Sequence, residues 1–189
     1  MKLRLPLLCL AGLAGVVCLL GAAAPAPGSG ATARGEHEVK AAFLLNFARF
    51  VEWPATGGTG ALVIGVAGPS PVFEPLQAMV AGETVRGRRI LVHALTENED
   101  PRSCQVLFVS RESGAETAAL VRQVAGLPIL TVGEADTFCA LGGMINLFLE
   151  GSAIRFEVNR TALADSGLRV SSRLLQLARK NESAPARQP

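Results

Sequence analysis

The amino-acid sequence predicts an α/β fold: a single domain with a mixed, mostly parallel sheet flanked by helices on both faces, and one antiparallel hairpin near residues 144–158. Three observations lead to this prediction. Short, wholly apolar segments alternate with segments of helical period, which is typical of buried parallel strands joined by helices. Apolar residues alternate with polar ones on either side of Gly151-Ser152, which indicates a hairpin. The chain has 189 residues and is 49% hydrophobic, enough for one ordinary domain.

Residues 1–33 are predicted to be a cleaved signal peptide. Lys2 and Arg4 precede the apolar run Leu5–Ala24, and a region of small residues follows and ends in a suitable cleavage box at Ala33. An uncleaved anchor is the rival interpretation, because about 20 apolar residues nearly span a bilayer. Both interpretations place the remaining domain outside the cytoplasm.

The predicted domain covers residues 34–180, and residues 181–189 are predicted to be a flexible polar tail. Lys2 and Arg4 are the only charged residues before residue 34. The rest of the chain therefore has 16 basic and 16 acidic residues and a formal net charge of zero. A neutral chain has no general electrostatic attraction to nucleic acid, so nucleic acid is not an expected partner.

The first element is a predicted helix at residues 36–53, within the segment EHEVKAAFLLNFARFVEWP. Its apolar residues recur at steps of three and four and are expected to cover the sheet: Val39, Phe43, Phe47 and Phe50. Leu45 and Trp53 fall partly outside this stripe. We therefore expect these two side chains to be candidate contacts for a partner.

The remaining elements follow in chain order. Strands are predicted at residues 61–68, 90–95, 104–110 and 128–133, helices at 70–82 and 112–126, a turn at 83–89 and a short helical turn or loop at 136–143. After the hairpin come two short helices broken at Gly167, with Asn159 and Ser171 as N-caps. Because the strands are joined by helices, most of the sheet is expected to be parallel.

Two further apolar residues are candidate interface residues. Phe148 lies on the polar side of its predicted strand, where an aromatic side chain suits an interface. In the last helix, Leu174 and Leu177 fit core packing, which leaves Leu175 more exposed.

The sequence contains no recognisable catalytic or cofactor-binding motif. It lacks the glycine-rich dinucleotide and P-loop patterns and the nucleophile elbow G-x-S-x-G. The loop GVAGPSP follows a strand, but its prolines remove backbone donors that a phosphate loop needs. His37 and His93 are far apart and no C-x₂-C spacing occurs after residue 33, so we expect no metal site, no cofactor and no enzyme activity.

Three charged residues are candidate polar anchors for a small ligand: Arg155, Glu157 and Arg173. Two cysteines, Cys104 and Cys139, remain after residue 33. They either form a disulfide that closes a loop of roughly 35 residues, worth about 3–4 kcal/mol, or stay separate buried thiols. Nothing beside Cys104 obviously lowers its pKa, so a thiol enzyme is not expected.

Five segments together resemble, in the same order, the YfiR family of periplasmic proteins: VKAAFLLNFARFVEWP, CQVLFVS, PILTVGEADTFCALGGMINLFLE, IRFEVN and GLRVSSRLLQLAR. The resemblance runs from Glu36 to Arg179. It implies a non-enzymatic, dimeric repressor that binds the periplasmic domain of an inner-membrane diguanylate cyclase or sensor kinase and lowers cyclic di-GMP and biofilm formation. It also implies an OmpA-like outer-membrane lipoprotein as a second partner. The alternative is a periplasmic small-molecule-sensing domain.

The cysteines depart from the family pattern. The resemblance implies two disulfide bridges, and Cys104 and Cys139 fall on one half of each. The missing partners would lie near Gly65 for Cys104 and near Asn146 for Cys139, where this chain has no cysteine. The two thiols are therefore either free or paired with each other.

Overall fold

The computed structural model describes residues 29–54 and 60–178. The tail at residues 181–189 and most of the predicted signal peptide lie outside the described residues. The first helix begins at Ser29, inside the segment predicted to be removed. Cleavage after Ala33 and the predicted domain bounds remain predictions.

Five α-helices occur in the described residues: α1 Ser29–Phe50, α2 Phe73–Val80, α3 Glu116–Gln123, α4 Arg160–Asp165 and α5 Ser172–Leu177. The strands there are β1 Val51–Glu52, β2 Leu62–Ala67, β3 Thr84–Val85, β4 Arg88–Leu95, β5 Val106–Val109, β6 Leu130–Gly133, β7 Ile145–Glu150, β8 Ala153–Val158 and β9 Arg169–Val170. Single 3₁₀ turns occupy Pro101–Ser103 and Arg111–Ser113.

Seven strands form one sheet in the order β3-β4-β2-β5-β6-β7-β8. The five inner strands, from β4 to β7, are parallel, whereas β3 and β8 are antiparallel at the two edges. The mixed, mostly parallel sheet is thus confirmed. The predicted hairpin is β7 and β8, joined at Gly151, whose φ of +63° lies in the left-handed region that glycine adopts readily.

Helices cover both faces of the sheet, as predicted. Along β5 the side chains alternate: Val106 and Phe108 belong to a large core that also contains residues of α1, α2 and α5. Leu107 and Val109 point to the other face and pack in a smaller core with Val121 of α3. Continuous burial along β5 is what a central parallel strand requires.

The face of α1 that packs on the sheet differs from the prediction. Its buried apolar residues are Ala41, Leu44, Leu45, Phe47, Ala48. Val39 and Phe50, predicted to cover the sheet, are 44% and 40% exposed, so the prediction was wrong for both. The helix is apolar on more than one side, and the side that carries Ala41 and Ala48 is fully buried. Phe47 packs edge-on against Phe156 of β8 with ring centroids 5.2 Å apart.

A separate two-stranded sheet was not predicted. β1 pairs antiparallel with β9, so that Val51 lies opposite Val170. The sequence predicted helix at Val51 and no strand at Val170, which precedes the predicted N-cap Ser171. The backbone N–H of Ser171 donates to the carbonyl oxygen of Phe50 (3.2 Å) and continues this link. The pairing fixes the end of α1 beside the start of α5.

Candidate functional site

The outer side of α1 carries a partly exposed apolar line, here called the α1 stripe: Val39, Phe43 and Phe50. These residues lie four and seven positions apart, which brings them to one side of a helix. The ring of Phe43 is half-buried against Phe156 (5.7 Å between centroids). Large side chains left exposed in a row are typical of protein-binding surfaces.

The predicted interface residues Leu45, in α1, and Trp53, directly after β1, lie in different environments. Leu45 is only 8% exposed and belongs to the large core, which leaves little of it for a partner. Trp53 is half-buried, and its indole Nε1 donates to the carbonyl oxygen of Gln105 (3.2 Å). Trp53 therefore keeps a fixed orientation with part of its ring accessible.

The other predicted interface residues lie on β7 and α5. Phe148 is half-buried and stands opposite Arg155 across the hairpin. Leu175 packs partly against the large core, whereas Leu177 is 68% exposed. The prediction that Leu177 is buried and Leu175 more exposed was wrong. Leu177 is the last residue of α5 and follows the turn whose Leu174 packs in the core.

Cys104 is a buried free thiol just before β5. Burial raises the pKa of this thiol above its ordinary value. Its nearest neighbours include Gly65 of β2: a Cβ built on Gly65 would collide with the Cys104 sulfur and lie 3.4 Å from the Cys104 Cβ. Gly65, at which the family resemblance suggested a partner, therefore lies directly beside Cys104.

Cys139 is a half-buried free thiol in the loop after β6. Burial, and next the charge of Glu157, raise the pKa of Cys139 to about 12. The backbones of Asn159 and Asn146 act in the opposite direction and lower this pKa. A thiol with this pKa carries almost no thiolate at neutral pH and is a poor nucleophile.

The candidate polar anchors are not brought together. Arg155 and Glu157 lie two residues apart on β8 and share one face, where Arg155 Nε is 3.5 Å from Glu150 Oε2. Glu157 accepts a long hydrogen bond from Asn146 Nδ2 (3.4 Å). Arg173 lies on α5, which packs on the opposite face, beside Phe156. A ligand role for the three residues as one set is thus not favoured by the geometry.

A buried ion cluster was missed by sequence reasoning. Lys40 of α1 lies 2.6 Å from Glu36 and 3.0 Å from Glu134, the residue that follows β6. The hydrogen bond from Lys40 lowers the pKa of Glu36. The pair of Glu36 and Lys40 has the spacing i,i+4 and could have been predicted from the sequence, but the contact between Lys40 and Glu134 could not. The cluster fastens the middle of α1 to the carboxyl end of the sheet.

A crevice of about 920 Å³ opens at the carboxyl ends of β2 and β4, beside α3. Within residues 29–54 and 60–178, no three His, Cys, Asp or Glu side chains meet as a metal-binding group. Nor does any helix in this part of the chain combine the length and apolarity needed to cross a membrane.

Residues 37–179 match the family model described as YfiR/HmsC-like. The matched range begins in α1 and takes in every later helix and strand described above.

Proposed function

Because the chain belongs to the YfiR/HmsC-like family, we propose that it binds and represses a membrane diguanylate cyclase, or a related sensor protein such as a sensor kinase, from the periplasmic side. At the level of the family, the function is periplasmic regulation of diguanylate cyclase signalling without catalysis. Repression by this chain would lower cyclic di-GMP and, with it, biofilm formation.

The α1 stripe is the observation that carries the proposal. Val39, Phe43 and Phe50 lie on a helix that is held at two places: the Lys40 cluster holds its middle, and the β1–β9 pair holds its end. A rigid helix with exposed aromatic side chains suits a protein partner, because little side-chain order is lost on binding. The half-buried Trp53, two residues after β1 begins, extends the same end of the helix.

Repression by binding requires that the regulator prefers the inactive form of the cyclase. A shift from almost fully active to almost fully inactive needs about 5.5 kcal/mol of differential affinity. Full burial of one phenylalanine side chain contributes roughly 1.5–3 kcal/mol. The rings of Phe43 and Phe50 are already more than half buried, so covering the rest of them in the inactive form alone would supply only part of this difference.

The other partners belong to the same proposal. A second copy of the chain would form a homodimer, and an OmpA-like outer-membrane lipoprotein would sequester the regulator and relieve repression. Trp53, Phe148 and Leu175 stay candidate contact residues for these partners. Export by a cleaved signal peptide would bring the chain to all of them.

Co-purification tests the proposal. The tagged chain, expressed in its own cells, should retain a membrane protein with a diguanylate cyclase or kinase domain. Phe50→Glu should lose that protein, because a charge would be placed in the interface. Leu91→Glu is the matched control, since Leu91 is a 51% exposed leucine on β4. Equal recovery with both variants would contradict a role for the α1 stripe.

A second candidate function, small-molecule sensing, is favoured by the crevice at the carboxyl ends of β2 and β4. A sensing domain needs a concave site with a few polar groups around an apolar floor. The crevice meets this description, because Leu95 and Leu120 line it together with Glu97 and Glu116.

A further inference from the structure

The crevice lies where the path of the chain changes direction across the sheet. From β2 the chain runs through α2 to β4 on one side, whereas from β5 it runs through α3 to β6 on the other. α2 packs on one face of the sheet and α3 on the opposite face. In open α/β sheets, ligands bind outside the carboxyl ends of the strands at such a switch point.

The floor of the crevice is apolar, and one wall is α3. Ala67 and Leu95 come from the ends of β2 and β4, and Ala119 and Leu120 come from α3. The volume of about 920 Å³ falls in the range of small-molecule sites, roughly 300–1,000 Å³. The crevice can therefore bury the apolar part of a small molecule.

The loop after β2 is built tightly against the crevice. Gly68 has a φ of +79°, and a Cβ built on it would collide with Ser113 Oγ and lie 2.9 Å from Ser110 Oγ. Ser113 Oγ donates to the carbonyl oxygen of Ala67 (3.0 Å) and holds this loop in place. The buried hydroxyl of Ser110, directly behind Gly68, has no hydrogen-bond partner within the described part of the chain. The crevice thus has a rigid inner end with polar groups close to its surface.

The charged residues that line the crevice are all acidic: Glu97, Glu99 and Glu116. Glu99 is held by the backbone N–H of Thr96 (2.7 Å) and by His93 Nε2 (2.9 Å). These hydrogen bonds lower the pKa of Glu99 to about 2, so its carboxylate stays charged at physiological pH. An anionic ligand such as a phosphate ester would meet repulsion here, and a cation would meet attraction.

The carboxylates stand on separate walls. Glu97 and Glu99 belong to the loop after β4, and Glu116 belongs to the first turn of α3. They do not converge as ligands of one metal ion. Separate carboxylates around an apolar floor suit an organic cation, whose charged group and hydrocarbon part need different surroundings.

We propose that the crevice between β2, β4 and α3 binds a small organic cation: a primary amine or diamine with an apolar stem of a few carbons. The stem would lie on Ala67, Leu95 and Leu120, and the ammonium group would lie between Glu97 and Glu116. This site is separate from the α1 stripe and does not depend on the identity of the protein partner.

Titration of the isotope-labelled full chain with matched probes tests the proposal. Hexylamine, 1-hexanol and hexanoate have alkyl stems of similar length and differ mainly in the charge of the head group, and 1,5-diaminopentane carries two ammonium groups. We expect saturable amide shifts with the two amines at Gly68, at residues 96–99 and at residues 116–120. The alcohol and the carboxylate should bind about three- to ten-fold more weakly, which is within the range that two exposed ion pairs together support.

Variants separate specific binding from general attraction. The double variant Glu97→Gln, Glu116→Gln should weaken amine binding by about three- to ten-fold. Glu74→Gln is the matched control, because Glu74 stands in the first turn of α2 as Glu116 does in α3, and it should leave the affinity unchanged. Equal binding of hexanoate, no saturation with either amine, or the same loss with Glu74→Gln would each overturn the proposal. None of these results depends on the cyclase.

Discussion

Gly65→Cys is expected to form a disulfide bond with Cys104 in the oxidised chain. Gly65 lies in the regular strand β2, whose backbone any residue can adopt. The Cβ of a side chain at this position would lie 3.4 Å from the Cys104 Cβ, close to the usual separation of about 3.5–4.5 Å in disulfides. The same Cβ would collide with Cδ1 of Leu95, but this atom is the far end of a flexible side chain and can rotate away.

The expected gain in stability follows from the length of the loop that the disulfide closes. A loop of about 40 residues removes conformational entropy from the unfolded chain and so raises its free energy by about 4 kcal/mol. Moving Leu95 from its preferred rotamer costs about 1 kcal/mol. The net gain of about 3 kcal/mol corresponds to a rise in Tm of about 6–12 °C for a chain of this size.

The assay is thermal unfolding of Gly65→Cys with and without reductant, together with peptide mapping of the unreduced chain. Gly65→Ser is the matched control, because serine has nearly the same size and cannot form the bond. The oxidised cysteine variant should exceed both its reduced form and the serine variant in Tm. A chain in which Cys104 stays unlinked, or a linked chain with no gain in Tm, would refute the reasoning.

Three further predictions concern the core, the ion cluster and the second cysteine. Phe138→Ala should lower the free energy of unfolding by about 3–5 kcal/mol in urea titrations, because this fully buried ring fills the space between two glycines. The control Leu141→Ala removes an exposed side chain and should change the free energy of unfolding by less than about 0.5 kcal/mol. Lys40→Met should lower the free energy of unfolding by about 3–5 kcal/mol, since the buried carboxylate of Glu134 loses its cation. Adding Glu134→Gln should restore part of the loss, whereas an additive double variant would contradict a coupled cluster. In the native chain at pH 8, Cys139 should react with iodoacetamide at least about 100-fold more slowly than in the chain unfolded by urea, because its pKa is raised from 9.0 to about 12. Rapid labelling of the native chain would contradict the raised pKa. The same shift implies that the thiol's contribution to stability is complete below pH 9 and is lost as the pH rises toward 12.

The parts of the fold that were predictable carry a local signal. The hairpin of β7 and β8 follows from strict alternation around Gly151, and the parallel strands follow from apolar runs between helices. The pair of β1 and β9 could not be predicted, because two-residue strands show no period and their partners are more than 100 positions apart in the chain. Such a pairing depends on the rest of the fold bringing the two segments together.

The candidate site was predictable only in part, for a related reason. The sequence shows that α1 is apolar on several sides, but the sheet decides which side is buried: Phe47 is fully buried, whereas Phe50 is 40% exposed. The ion pair of Lys40 and Glu134 could not be predicted, because it joins α1 to the end of β6, which is far away in the sequence. The crevice is lined by residues from β2, β4 and α3. These segments are separated in the sequence and become neighbours only because β2 lies between β4 and β5 in the sheet.

Cyclic di-GMP in living cells tests the central claim most directly. A strain that lacks this chain would be complemented with the wild-type chain, with Phe50→Glu, or with the control Leu91→Glu, at equal protein levels. The account predicts high cyclic di-GMP without the chain and with Phe50→Glu, and low cyclic di-GMP with the wild type and Leu91→Glu. Unchanged cyclic di-GMP on removal of the chain, or full repression by Phe50→Glu, would contradict it.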